Sequence, residues 1–183
     1  MIVTDELTIL RLVIERLNQA NIAYMVSGSL AMNYYAQPRM TRDIDIVIEA
    51  KLNDAHRLYE LFSGDFYIDE HRIQQAISQR GMFNIIHTET VIKIDLIVRK
   101  PGVYRETEFA RRRLQKLGDM EAYLVAPEDL ILSKLHWAKD SRSELQLNDV
   151  RNLLSATRQT LDMDYLNRWA GELSVSTMLN EIL

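Results

Sequence analysis

With 183 residues, 47% of them apolar and 26% charged, the chain can build one globular core with a helical appendage, and 6 glycines and 3 prolines are too few for long disordered linkers. It has no cysteine, which excludes disulfides, thiolate metal sites and a cysteine nucleophile, and a formal net charge of −4 excludes a uniformly polyanion-binding surface. No run approaches the roughly 20 apolar residues of a membrane span. Met1-Ile2-Val3-Thr4-Asp5-Glu6 places no basic segment ahead of an apolar one, so no secretory signal is expected and a cytoplasmic location is the default.

Leu7, Leu10, Val13, Ile14 and Leu17 fall at helical spacing and predict a first helix over 5–20. Ile22 to Val26 reads as a short buried strand, and Ser27-Gly28-Ser29 turns it into a helix over 30–36. Gln37-Pro38 ends that helix, because a residue before proline is pushed out of the helical region. The alternating, β-branched run Asp43 to Glu49 predicts a strand. Asn53 is placed to cap a helix reaching Phe62, with Ser63-Gly64 as its stop. A short strand at 66–68 and a helix at 71–80 follow. Phe83 to His87 and Val91 to Val98, joined by Thr88-Glu89-Thr90, form an antiparallel hairpin, so the sheet is mixed.

From about residue 104 the pattern is mainly helical, broken by a turn at Gly118 and a short strand at 122–125. Helices are expected from Glu128 to Lys139, with Pro127 at the first position, and at 148–157 and 162–170. Arg111-Arg112-Arg113, with Lys116 close behind, reads as the solvated basic face of a helix. The four histidines show no paired spacing, so zinc is not expected. The expected organisation is an α+β protein with a mixed sheet, residues 1–104 forming the core and 105–183 a mainly helical part packed on it.

The informative constellation is Gly28-Ser29, thirteen intervening residues, Asp43-Ile44-Asp45, and then Asp95 on a later strand. Side chains two apart on a strand share a face, with Cα atoms about 6.6 Å apart, so Asp43 and Asp45 project together while Ile44 enters the core. Asp95, between Ile94 and Leu96, repeats this arrangement. Three clustered acids repel one another unless a cation joins them. Hard carboxylate oxygens suit magnesium, and two such ions about 3.5–4 Å apart can hold the attacking and leaving oxygens of a phosphoryl displacement. Gly28-Ser29, at a strand-to-helix turn, offers backbone N–H groups and a hydroxyl to a phosphate. Arg39 and Arg42, in the loop feeding the aspartate strand, are placed to contact a triphosphate. A second Asp-x-Asp, Asp162-Met163-Asp164, is an internal control: it opens a helix, where acids favour the N-terminal turn, and no Gly-Ser precedes it.

Val26-Ser27-Gly28-Ser29 followed by Arg39-Met40-Thr41-Arg42-Asp43-Ile44-Asp45 resembles the signature of the DNA polymerase beta-like nucleotidyltransferase superfamily, and Lys93-Ile94-Asp95-Leu96 resembles its third-carboxylate strand. Pro127-Glu128-Asp129-Leu130-Ile131-Leu132-Ser133-Lys134-Leu135 and Asn148-Asp149-Val150 resemble later motifs of the AbiEii-type branch, the nucleotidyltransferase toxins of type IV toxin–antitoxin systems. The resemblance implies a nucleotidyltransferase fold with a C-terminal helical extension. It also implies ligation of two magnesium ions, with manganese as a substitute, by Asp43, Asp45 and Asp95, and Asp95 as the group that takes the acceptor's proton. Lys134 is implied as an activity-bearing lysine at the phosphates, and Gly28, Ser29, Arg39, Thr41, Arg42 and Lys93 as nucleotide contacts. Glu128 matches a motif acid and equally suits a helix N-terminus. The chain departs from the pattern at Ala36-Gln37-Pro38, where many relatives carry a glycine, and it is shorter than the usual toxins.

Three functions compete on this reading. The first is transfer of a nucleoside monophosphate from a triphosphate to a hydroxyl of a tRNA, a protein or a small molecule, with a cognate antitoxin as an implied partner. The second is an antibiotic-modifying nucleotidyltransferase. The third is a non-catalytic module binding nucleotide or protein, against which the repulsive acid cluster argues.

Overall fold

The two apolar-alternating segments around Asp45 and Asp95 pair with each other, and the sheet grows outward from them. The computed structural model describes residues 5–41 and 43–183. In chain order the elements are α1 (Asp5–Gln19), β1 (Tyr24–Val26), α2 (Gly28–Tyr35), β2 (Asp43–Ile48), α3 (Ala55–Phe62), β3 (Phe66–Tyr67), α4 (Glu70–Gln79), β4 (Met82–His87), β5 (Lys93–Val98), α5 (Val103–Ala110), β6 (Arg113–Leu117) and β7 (Met120–Leu124). Four helices follow: α6 (Pro127–Ser141), α7 (Glu144–Thr157), α8 (Met163–Glu172) and α9 (Ser176–Ile182). A 3₁₀ turn, Leu52–Asp54, leads into α3, so the helix expected from Asn53 begins slightly later. Pro127 occupies the first turn of α6, where a missing N–H costs nothing.

One seven-stranded sheet has the order β3-β4-β5-β2-β1-β7-β6. The pairs β2–β5 and β1–β7 are parallel and the rest antiparallel, which makes the sheet mixed as the hairpin pattern implies. The basic run does not lie on a helix face. Arg111 closes α5, and Arg113 opens β6, an edge strand paired with β7. The reason is Gly118, whose φ of +64° supports a tight turn between Leu117 and Met120.

Alternation sends Ile44, Ile46 and Ile48 of β2, and Ile94, Leu96 and Val98 of β5, into a core shared with α1, α3 and α4. On the opposite face, a second core formed by Met25, Ala31, Met32 and the apolar sides of α5 to α9 covers the β1 side of the sheet. Toward β4 and β3 this face stays open, with Met82 58% and Tyr67 69% exposed. Strand register arranges the open face in rows. Tyr67, Ile86, Lys93 and Asp43 form one; Asn84, Asp95 and Asp45 the next; Met82, Ile97, Val47 and Met25 the third. Among the described residues no helix is long and apolar enough to cross a membrane.

Candidate active site

Asp45 and Asp95 are direct partners across the parallel β2–β5 pair, so two acids fifty positions apart in the chain project side by side. The Ser27 backbone N–H donates to the Asp45 carbonyl at 2.9 Å, which fastens the Ser27-Gly28 turn over the Asp45 side chain. Gly28 has a φ of +60°, and a Cβ built on it would overlap Asp45 Oδ2 and stand 2.7 Å from Cγ. A side chain there would have to displace Asp45 and hold a left-handed backbone, so the position favours glycine. The turn opens directly into α2, whose first turn carries no acidic side chain, so its backbone N–H groups are available to an anion.

A cavity of about 420 Å³ opens between the sheet and α6, lined by Gly28, Ser29, Asp45, Asp95, Lys134 and Trp137, with Ser27, Met82, Ile97, Leu130, Ser133 and Gln146 completing its wall. Burial, with the like charges of Asp95 and Asp43 added, pushes the Asp45 carboxyl above the usual range, and Lys134 and Lys93 offset part of this. Asp95 is 8% exposed, and its Oδ1 is buried without a hydrogen-bond partner. A buried carboxylate oxygen left unpaired is costly and calls for a cation or a proton donor.

Lys93 lies one row away, its Nζ 3.0 Å from Asp95 Oδ2 and 3.6 Å from Asp43 Oδ2. Its hydrogen bond to Asp95 is the main reason its pKa is raised. Asp43 is 57% exposed at its side chain and does not line the cavity. Among the described residues no trio of His, Asp or Glu side chains stands close enough to share one ion in this arrangement. The three aspartates thus share a sheet face without having closed into one ligand cluster. The donor set nevertheless fits magnesium: hard oxygens only, one of them orphaned, on the face where like charge accumulates.

Opposite the acids stands an ion network that the sequence reading did not assemble. Asp149, 1% exposed on α7, accepts from Arg39 Nε and Nη2, both at 3.0 Å, and from Lys134 Nζ at 2.7 Å. Burial alone would raise Asp149, but the hydrogen bonds from Arg39 and Lys134 outweigh it and hold the carboxyl below its usual range. Lys134 is lowered, chiefly by burial, and also donates to Gln146 Oε1 at 3.1 Å. Two cations against one carboxylate leave a net positive charge on this wall. An ammonium has three donors, so one N–H of Lys134 remains for a ligand. Arg39 Nη2 further donates to Ser29 Oγ at 2.7 Å. Its guanidinium therefore braces the turn, and its place as a direct nucleotide contact is not evident in this arrangement. Thr41 Oγ1 donates to the Asp43 carbonyl at 3.2 Å, a contact that shapes the loop. Arg42 lies outside the described residues.

No family model matches the sequence, and no curated protein matches it. Solved structures match in shape. A lincosamide antibiotic adenylyltransferase with lincomycin bound aligns at a TM-score of 0.59 and 14% identity, over 85% of this chain and 99% of its own. ANT(2'')-Ia in complex with adenylyl-2''-tobramycin gives 0.56 and 12%, over 93% and 98%. An antigenic nucleotidyltransferase-like protein from Paracoccidioides brasiliensis gives 0.55 and 15%, over 96% and 90%. This chain has the nucleotidyltransferase fold.

Within that fold Glu128 does not line the cavity. It is fully buried, and its carboxylate accepts from Arg111 Nη2 at 3.2 Å, Arg113 Nη2 at 3.3 Å and the Asp162 backbone N–H at 3.0 Å. It ties α6 to β6 and to the start of α8. Asp149 had a sequence signal: with Val150, Leu153 and Leu154 it falls on the apolar stripe of α7, where an acid is out of place unless it is paired.

Proposed function

We propose that this protein is a magnesium-dependent nucleotidyltransferase that moves a nucleoside monophosphate from a triphosphate to a hydroxyl. One observation carries the reading: Asp45 and Asp95 stand in register across β2 and β5, against a glycine turn with no room for a Cβ, at the floor of a cavity walled by Lys134. Asp43, Asp45 and Asp95 are the residues that would hold magnesium, which when bound would supply charge neutralisation for the phosphoryl transfer. The α2 N-terminus, the Ser29 hydroxyl and Lys134 bind the phosphates from the other side. Lys93 offsets the acids before substrate arrives. The acceptor oxygen bonds the α-phosphorus, the α–β bridging bond breaks, pyrophosphate leaves, and the hydroxyl proton passes to the Asp95 carboxylate.

A small-molecule acceptor is supported by the cavity and by fold neighbours that include antibiotic-modifying enzymes. tRNA and protein acceptors are to be compared with it, and the AbiEii-type toxin reading, with its cognate antitoxin, is the finer assignment. Incubation with labelled triphosphates, magnesium or manganese, and each acceptor class tests the proposal. Transfer should fall on the order of 10²–10⁴-fold in Asp45→Asn and Asp95→Asn. Wild-type protein that binds triphosphate but never transfers it to any acceptor class would defeat the reading in favour of a binding module. Growth arrest on expression, lost in Asp45→Asn, tests the toxin assignment.

A further inference from the structure

The apolar end of the cavity carries an unexplained aromatic. Trp137 is 64% exposed on α6, and Met82 is 58% exposed on β4; both line the cavity that holds Asp45 and Asp95. Large apolar side chains left open beside a polar site lower the cost of binding something flat and apolar. Leu130, Lys134 and Trp137 fall at i, i+4 and i+7, on one face of α6, and all three line this cavity. Trp137 stands one turn beyond Lys134, about 4.5 Å along the helix axis. A ligand with its phosphates at Lys134 and the Ser29 turn thus extends, over the length of a ribose, to the indole.

Resting on the nucleotidyltransferase reading, we propose that Trp137 stacks on the nucleobase of the donor triphosphate, with Met82 contacting the ring from the sheet. Besides the acids, Lys134, Gln146 and the Ser27–Ser29 turn, the cavity is lined by Met82, Ile97, Leu130 and Ser133, which offer a ring apolar surface and one hydroxyl. Stacking accepts every base, because each has a π-face, and it favours the larger ring. Purine triphosphates are therefore preferred over pyrimidine ones, with little discrimination between adenine and guanine.

The test uses the full chain with magnesium and two probes: a non-hydrolysable ATP analogue, and inorganic triphosphate, which has the charge but no ring. Tryptophan fluorescence reads ring contact directly, since the other tryptophan, Trp169, is buried in the core. The analogue should quench emission and inorganic triphosphate should not. Trp137→Ala should weaken the analogue on the order of tenfold or more, leave inorganic triphosphate unchanged, and be largely rescued in Trp137→Phe. Unchanged analogue affinity in Trp137→Ala overturns the inference while leaving the function intact. A raised KM for the acceptor with an unchanged KM for the triphosphate overturns it in favour of an acceptor-side role. Failure of the wild type to bind either probe overturns the functional reading and this inference together.

Discussion

Gly28 carries three demands at once: a left-handed φ, a backbone that approaches the Asp45 carboxylate, and N–H groups free at the start of α2. Substituting alanine must either strain the turn or displace Asp45. Gly28→Ala is expected to remove nucleotide transfer as fully as Asp45→Asn, although Asp45 itself is retained. The fold should lose about 1 kcal/mol or slightly more, as for alanine placed at positive φ. A melting curve alongside the transfer assay separates these effects; an active Gly28→Ala would refute the cradle. The shared sheet face of Asp43, Asp45 and Asp95 and the turn at Gly28 were legible in sequence because strand periodicity and a glycine turn both act over short stretches of chain. The pairing of Asp149 was not, because its partners Arg39 and Lys134 lie 110 and 15 positions away and no local pattern announces them.

At the scale of elements, β6 shows where periodicity misleads. Its residues are all exposed or half-exposed, with Leu114 51% exposed, so no apolar face marks the segment as a strand. What holds it is β7 on one side and Glu128 beneath, which receives Arg111 and Arg113 from either end of the α5–β6 junction. Neither pairing was visible in a run of three arginines. Arg111 keeps Asp129 and both guanidiniums keep contact with water, so removing Glu128 forfeits charge-assisted hydrogen bonds worth about 1.5–3 kcal/mol. Glu128→Ala should accordingly lower stability by an amount in that range in denaturant titration, and nucleotide affinity at saturating fold should stay near wild type, since Glu128 does not line the cavity. A loss of nucleotide binding in folded Glu128→Ala would return this acid to the site. The helices α1, α4, α6, α7 and α8 were legible from apolar spacing, as were the β4–β5 hairpin and the mixed sheet that it implies.

For the whole molecule, acid response follows from which carboxylates fold holds charged. Asp149 is held below its ordinary value of 3.8 by Arg39 and Lys134. Its stabilising contribution is therefore complete above that pH and disappears as pH falls through the lower, folded value. Asp45, Glu108 and Asp129, raised mainly by burial, act with the opposite sign, because their folded forms take up protons more readily. Comparison of wild type with Asp149→Asn isolates the first effect. The variant should be about 3 kcal/mol less stable at neutral pH, and the gap should narrow as pH drops below 3.8. A gap that is constant with pH would mean that Asp149 contributes through shape alone.

The Arg39–Asp149–Lys134 network also sets an order of events during synthesis. A ribosome that has released residues up to the end of β5 has already supplied every acid of the proposed centre, yet Lys134 is still to be made and Asp149 is not there to hold Arg39 beside Ser29. Until residue 149 emerges and α7 docks, the growing polypeptide carries a loose phosphate seat. Premature termination between the end of β5 and residue 149 yields a fragment with the acids and without the brace.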